Sequence, residues 1–410
     1  MIRIFVVFIA LWAGLSPAVF AQALSGVALS GVARVDPARS GIEQTWLGRT
    51  SLRLHLSQGV PFRVFTLDDP ARLVLDFREV DWSGVRAADL LAEETGIDGI
   101  RFGTFQPGWS RLVADLTRPM LPGDIGMALD DATGDAILTL SLEAADPQAF
   151  AAASGVPEDT LWPQPQPDMP QAPVADDRFV VVIDPGHGGV DPGAEREGLS
   201  EKLLMLEIAF ELREALIRAG DMDVVLTRES DVFVSLQSRV AQAHRAGADL
   251  FVSLHADALS QGGAEGATIY TLSDEASDTA TAHLAARHNR ADIIAGADLT
   301  GSDDEVTGVL LDLARQETEP RSMALAQALV QGMADAGGPM NNRPLRQAGF
   351  SVLKSADIPS VLVEVGFLSS KRDLENIRNP AWRRKIVAGM ARSIAAWRLS
   401  DQAQRELVRQ

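Results

Sequence analysis

Seven of the chain's 21 prolines fall between residues 146 and 178: Pro147, Pro157, Pro163, Pro165, Pro167, Pro170 and Pro173. Proline fixes φ and carries no amide hydrogen, so such a stretch runs as a semi-extended spacer and avoids the interior of sheets and helices. No single core can pass through it. The 410-residue chain is therefore expected to divide into an N-terminal module at 25–145, a linker at 146–178 and a larger C-terminal module at 179–399.

Ahead of these lies a segment with the make-up of an export signal. Arg3 gives a positive start, Ile4 to Leu15 an apolar core, Pro17 a break, and Val19-Phe20-Ala21 a cleavage site. Residues 1–21 are expected to be removed, leaving a mature chain that starts near Gln22. The alternative is an uncleaved anchor, but the apolar run is short for a span of about 20 residues. No stable membrane span is expected elsewhere.

The N-terminal module reads as β. Leu52, Leu54 and Leu56 alternate with Arg53 and His55, and Leu73, Leu75 and Phe77 alternate in the next strand. A period of two puts one face on a core and the other in solvent. Leu52-Arg-Leu-His-Leu-Ser is weakly echoed by Arg111-Leu-Val-Ala-Asp-Leu-Thr, and turns are marked by Pro61, Asp68-Asp69-Pro70 and Pro107-Gly108. A small all-β sandwich is expected, with His55 on its solvent face.

After the linker the period changes. Residues 179–183, 223–226, 250–254 and 360–363 are apolar runs separated by helical stretches, the pattern of an α/β domain with a mostly parallel sheet flanked by helices. Ligands gather at the carboxyl ends of such strands. Three of these runs end in chemistry: Asp184-Pro-Gly-His187-Gly-Gly, His255-Ala-Asp257 and Glu364-Val-Gly-Phe367. A fourth residue joins them through helix geometry. Ser200 reads as an N-cap for a helix from Glu201 to about Ala219, whose apolar stripe of Met205, Ile208, Leu212 and Leu216 also carries Glu201. A surface glutamate would not sit there.

Two imidazoles and a carboxylate with one position open form the usual protein complement of a hydrolytic zinc site. With no cysteine and only six histidines, any transition metal here depends on imidazole and carboxylate. Each residue has a plainer reading. A glycine-rich turn after a strand also cradles phosphate, although Asp184 and Asp191 flank this one and no lysine sits in it. His255 alone would suit a hydrogen-bonded core histidine, and Glu201 a charge complementing a helix dipole. Their convergence on one sheet edge favours the site.

These residues resemble a known family. Val181-Val-Ile-Asp-Pro-Gly-His-Gly-Gly, Ser200-Glu-Lys, Ser253-Leu-His-Ala-Asp and Val363-Glu-Val-Gly-Phe-Leu-Ser look like the motifs of the zinc-dependent N-acetylmuramoyl-L-alanine amidases of bacterial cell division. Thr66-Leu-Asp-Asp-Pro-Ala-Arg-Leu-Val-Leu-Asp resembles the AMIN domain that precedes such catalytic domains. The resemblance implies zinc held by His187, Glu201 and His255, with Glu364 as the catalytic carboxylate. It also implies peptidoglycan as substrate, a periplasmic location near the division site, and an activator protein.

An acidic insert at 273–305 follows His255. It carries Asp274, Glu275, Asp278, Asp292, Asp298, Asp303, Asp304 and Glu305 against Arg287 and Arg290, and Ala280 to Ile294 reads as a helix. Charge alone would make it a solvated surface helix. The resemblance implies instead a regulatory helix that occludes the zinc and supplies an extra ligand, a glutamate in the family. His288 stands at that position, and neutral imidazole also ligates zinc. His283 is five residues away, about 140° around the helix, and so cannot share its face. His244 is expected to be exposed, Arg343 and Gly349-Phe-Ser-Val-Leu-Lys354 to line the substrate groove, and Glu375 to be structural.

Two other functions compete: a zinc peptidase cutting the stem peptide, and a non-catalytic wall-binding scaffold. The formal net charge of −19 argues against nucleic acid as a partner, since phosphate binding needs a basic surface.

Overall fold

A computed structural model describes residues 32–157 and 178–408, apart from 46–48, 79, 107, 131–132, 259–263, 296–307 and 356. The expected export signal, most of the linker, and the acidic residues from Asp298 to Glu305 lie outside the described residues.

Eight strands of four residues or more build the described N-terminal half: β1 (Gly41–Gln44), β2 (Thr50–Leu56), β3 (Phe62–Leu67), β4 (Arg72–Arg78), β5 (Ile97–Gln106), β6 (Trp109–Leu116), β7 (Met120–Leu129) and β8 (Ala136–Ala144). They form two antiparallel sheets, ordered β1-β2-β8-β7 and β3-β4-β6-β5. Leu52, Leu54, Leu73, Leu75, Phe77, Leu112, Leu138 and Leu140 fill the core between them. The two echoing segments are β2 and β6, an interior strand of each sheet.

Two details depart from the sequence expectation. The start of the linker is not extended: Pro147–Ala153 forms helix α1, capped by Asp146, whose side chain accepts from the amides of Gln148 and Ala149. Proline at the first helical position loses nothing, because that amide has no intrahelical partner. Phe150 of α1 is buried in the sandwich core, so this helix packs as part of the β module. The second departure is β4, buried on both faces from Arg72 to Phe77.

The C-terminal half comprises β9 (Phe179–Pro185), α2 (Glu201–Ala219), β10 (Met222–Leu226), α3 (Leu236–Arg245), β11 (Leu250–His255), β12 (Ala267–Leu272), α4 (Thr279–His288), α5 (Ala291–Ile294), α6 (Gly308–Asp335), β13 (Met340–Ala348), β14 (Ser360–Glu364), α7 (Lys371–Arg378) and α8 (Pro380–Val408). The sheet runs β10-β9-β11-β14-β12-β13, parallel at every pairing except β12 with β14. Alternate residues serve two cores. Val181, Ile183, Val252, Leu254, Val361 and Val363 pack against α2, α6 and α8, while Val180, Val182, Phe251 and Leu362 pack against α3 and α4. Among the described residues no helix is long and apolar enough to cross a membrane.

Candidate metal centre

The sheet delivers its polar ends together. In the parallel pairing of β11 with β14, His255 is the register partner of Glu364, and both are the last residues of their strands. The neighbouring strand β9 runs out at Pro185, and the turn beyond it places His187. His187 has φ of 61°, and its neighbours leave no room for side chains. A Cβ on Gly186 would lie 2.2 Å from His255 Cε1; one on Gly193, itself at φ 66°, would lie 2.6 Å from His187 Cδ2.

Glu201 opens α2 and is fully buried, with Leu204, Met205, Ile208, Ala209, Leu212 and Leu216 on its stripe. Ser200 occupies the N-cap position, but its side chain makes no capping hydrogen bond. Glu201 is instead oriented by backbone: Ala194 N donates to its Oε2 and Ala256 N to its Oε1, each at 2.9 Å.

His187, Glu201 and His255 offer ligand atoms that lie within 4.8 Å of one another. His187 Nε2 is 3.3 Å and His255 Nδ1 is 3.0 Å from Glu201 Oε1. Ligands on a tetrahedral ion with bonds of roughly 2.0–2.1 Å stand about 3.3 Å apart, so this spacing and donor set suit zinc with one position left open. His187 Nε2 is also buried without a hydrogen-bond partner, as a metal-facing nitrogen should be. The ring's other nitrogen, Nδ1, is 2.8 Å from Asp191 Oδ2, which fixes its orientation.

A second group stands beside the first. Asp257, His288 and Glu364 also bring ligand atoms within 4.8 Å of one another, and all three are buried. Glu364 Oε2 accepts from Asp257 N at 2.9 Å, while Oε1 has no hydrogen-bond partner and lies 3.6 Å from His288 Nε2. The His288 ring centroid is 4.2 Å from that of His255 and 6.0 Å from that of His187. The imidazole thus lies against the first group, closest in ligand terms to Glu364 and Asp257.

Electrostatics separates these side chains. Burial opposes a charge on His187, but the Asp191 and Glu201 carboxylates outweigh it and raise the ring to about 10. Burial, with His288 close by, drives His255 down to about 3. Burial also works against the Glu201 carboxylate, yet His187 and His255 hold it well below the usual range. Glu364 is pushed up, chiefly by burial.

The insert roofs the site. A cavity of about 20 Å³ remains, lined by His187 and His255 below and by His288, Asn289 and Ala291 of the insert, room for roughly one water. The helix expected from Ala280 to Ile294 is broken into α4 and α5 at Asn289. That side chain is committed elsewhere: it donates to Gly349 O at 2.8 Å and accepts from Ser351 N at 2.7 Å. The segment Gly349–Lys354, read as strand-like, is instead a turn with a 3-10 helix at Ser351–Leu353; Val352 lines the cavity, and Phe350 packs 5.5 Å from the His288 ring. Arg343 is exposed on β13, and His283, His244 and Glu375 face solvent to differing degrees.

Sequence reasoning named Asp184 only as a flank of the His187 turn and overlooked the arginines that help to hold it. Asp184, 1% exposed, accepts from Thr227, Ser253 and Arg239 at 2.5, 2.7 and 2.6 Å. Arg239 also donates to the carbonyls of Pro185 and His187, and Arg228 to those of Pro185, Gly186 and Lys202. Arg239 shares the buried stripe of α3 with Ala243. The rule that singled out Glu201, a charge on an apolar stripe, would have found it.

Residues 181–396 match the family N-acetylmuramoyl-L-alanine amidase, and residues 43–122 match the AMIN domain. The chain is 31% identical over 392 residues to the N-acetylmuramoyl-L-alanine amidase AmiC of Neisseria meningitidis serogroup B, covering 91% of this chain and 93% of that one. It is 29% identical over 394 residues to AmiC of Escherichia coli, covering 93% of each. To AmiA of Salmonella typhimurium it is 37% identical over 267 residues, 65% of this chain and 89% of AmiA.

Proposed function

The chain belongs to the N-acetylmuramoyl-L-alanine amidase family, and on that premise we propose a zinc-dependent enzyme whose own insert keeps it closed at rest. The amidase reaction hydrolyses the bond between the lactyl group of N-acetylmuramic acid and the L-alanine of a peptidoglycan stem peptide. The observation that carries the metal assignment is His187 Nε2, buried and unpartnered 3.3 Å from Glu201 Oε1. His187, Glu201 and His255 would hold the ion. Zinc there supplies a Lewis acid that polarises the amide carbonyl and lowers the pKa of water to roughly 7.

The remaining chemistry belongs to the chain. Glu364, with Oε1 free and Oε2 anchored on Asp257 N, takes the proton of the attacking water and returns it to the departing L-alanine amine. Burial raises its pKa, which makes its carboxylate a stronger base than that of an exposed glutamate. Asp191 keeps Nδ1 of His187 engaged, so Nε2 remains the metal-facing nitrogen. His288, mounted on the insert with Nε2 3.6 Å from Glu364 Oε1, would act as an inhibitory ligand of the metal in the closed enzyme.

The same reading assigns 25–145, with the helix Pro147–Ala153 packed on it, to a wall-targeting AMIN domain, the rest of 146–178 to a linker and 179–399 to the catalytic domain, with 1–21 as a cleaved export signal. The enzyme works in the periplasm at the division site, where an activator protein displaces the 273–305 insert. A site without thiols suits that compartment, and an unregulated wall hydrolase would lyse its host.

Glu364→Gln tests the assignment. Hydrolysis of purified peptidoglycan should fall by about 10²–10⁴-fold while stoichiometric zinc is retained. Mass spectrometry of wild-type digests should show intact free stem peptides, not cut ones. In the wild type, kcat/KM should fall as pH drops through a pKa above the ordinary carboxylate range, because Glu364 must be ionised to accept the proton. Full activity of a zinc-loaded Glu364→Gln enzyme would remove Glu364 from its role.

A further inference from the structure

The two sheets of the β domain face different surroundings. Along β2 burial alternates, with Arg53 exposed between buried leucines. Along β4 it does not: the outward residues Arg72, Val74 and Asp76 are 2%, 0% and 0% exposed, and on β6 the outward Arg111 and Val113 are 3% and 0%. Burying guanidinium groups is costly unless partners receive them. A sheet face this dry has an occupant.

The occupant is the end of the insert, together with the turn that carries His187. Arg72 Nη1 donates to the carbonyl of Ile293 at 2.9 Å, and Arg111 Nη1 to that of Ala295 at 3.3 Å. These carbonyls lie at the C-terminal end of α5, where backbone oxygens lack helical partners and a cation is favoured. Arg111 is aimed by Asp76 through bonds of 2.6 and 2.9 Å and sits 3.5 Å from the ring centroid of Phe105. Phe105 in turn stacks on Phe233 of the catalytic domain, 5.7 Å between centroids, and Val113, Val190, Phe233 and Ala295 close an apolar cluster around it.

The backbones also meet. Val190 N donates to Thr104 O at 3.2 Å. A Cβ on Gly103 would lie 2.7 Å from Gly189 O, and one on Gly189 would lie 1.8 Å from Thr104 O. The contact is close-packed on both sides.

We propose that the outer face of the β3-β4-β6-β5 sheet is the docking surface for the inhibitory insert, and that Arg72 and Arg111 clamp α5 so that His288 stays over the metal centre. This rests on the reading that the insert occludes the site. Coupling between sites is reciprocal, so anything that competes with residues 291–295 for this face activates the enzyme.

The test uses the full-length protein with two substitutions, Arg72→Met and Phe105→Ser. Phe105→Ser removes a contact without stranding a buried charge, and it decides the matter if Arg72→Met does not fold. Hydrogen exchange of residues 279–295 is measured beside peptidoglycan hydrolysis without any added activator. The clamp predicts about tenfold or faster exchange of those amides, at the lower end of what a hydrogen bond from a charged donor is worth. Exchange in β2 and β8, in the other sheet, should stay unchanged, and basal hydrolysis should rise by a similar factor. Unchanged exchange of 279–295 in a folded variant overturns the clamp. Faster exchange without any rise in hydrolysis upholds the clamp and removes the occlusion reading on which it was built.

Discussion

The two neighbouring groups at the sheet edge are built on different principles. His187, Glu201 and His255 come from a strand-end turn, a helix start and a strand end of one scaffold, with His187 and Glu201 oriented by further bonds. In the second group Asp257 and Glu364 share that scaffold, but His288 arrives on an insert held by scattered anchors. Asp278 pairs with Arg346, Asn289 bonds Gly349 and Ser351, Asp292 accepts from Leu236 N, and Arg72 and Arg111 take the last carbonyls. On the proposed reading the first group stays assembled throughout, while the second is complete only when the insert is docked, so one edge carries both the chemistry and its interruption.

If that contrast is right, damage to the first group should cost metal and activity together, whereas loss of the insert's own member of the second, His288, should release activity. The largest effect on the metal is expected for Asp191→Ala. His187 would lose the partner of Nδ1, and zinc affinity, measured by competition with a chelator, should fall by about 10–100-fold. An unchanged affinity would mean that the Arg228 and Arg239 bonds to the turn suffice to hold the ring. For His288→Ala the sign reverses. Basal hydrolysis without activator should rise by about tenfold, with no loss of zinc, because one buried inhibitory contact is removed. Unchanged basal activity would show that His288 only fills space and that the rest of the insert does the blocking.

The first group was legible in sequence for the same reason that, on this reading, it stays assembled. Glu201 betrays itself within one helix, as a carboxylate on an apolar stripe, and His255 ends an apolar run, as Glu364 of the second group also does. Such signals are local. Four strands of the mostly parallel sheet and the sandwich were legible too, since their apolar runs, periods of two and crossover helices repeat over short windows, whereas β12, whose antiparallel pairing makes the sheet mixed, and β13 were not read. What could not be read depends on partners far along the chain. Arg72 looked like a solvent-facing strand residue because the carbonyl it serves lies 221 positions later, and Arg111 serves one 184 positions later. The break at Asn289 has the same origin, a turn at Gly349 that lies 60 residues on.

Asp292 gives the smallest and most discriminating test of the second group. Its carboxylate is buried beneath the insert and accepts from Leu236 N at 2.9 Å. Burial pushes its pKa up, with Asp191 adding to the rise against the pull of the Leu236 amide and Arg239. A carboxyl group whose pKa is raised by docking favours the docked state when protonated, and that contribution is lost as pH rises through the raised value. At neutral pH the insert therefore docks against the cost of a buried charge. Asp292→Asn keeps the acceptor oxygen and removes the charge, so the insert should hold as well or better, by up to about 1 kcal/mol. Basal hydrolysis at pH 7 should then fall by up to about fivefold, and insert exchange should slow by the same factor. As pH drops toward the raised pKa, insert exchange in the wild type and the variant should converge. A rise in basal activity in Asp292→Asn would mean that the charge itself, through Arg239, anchors the insert, and the second group would then be tied electrostatically to the scaffold of the first.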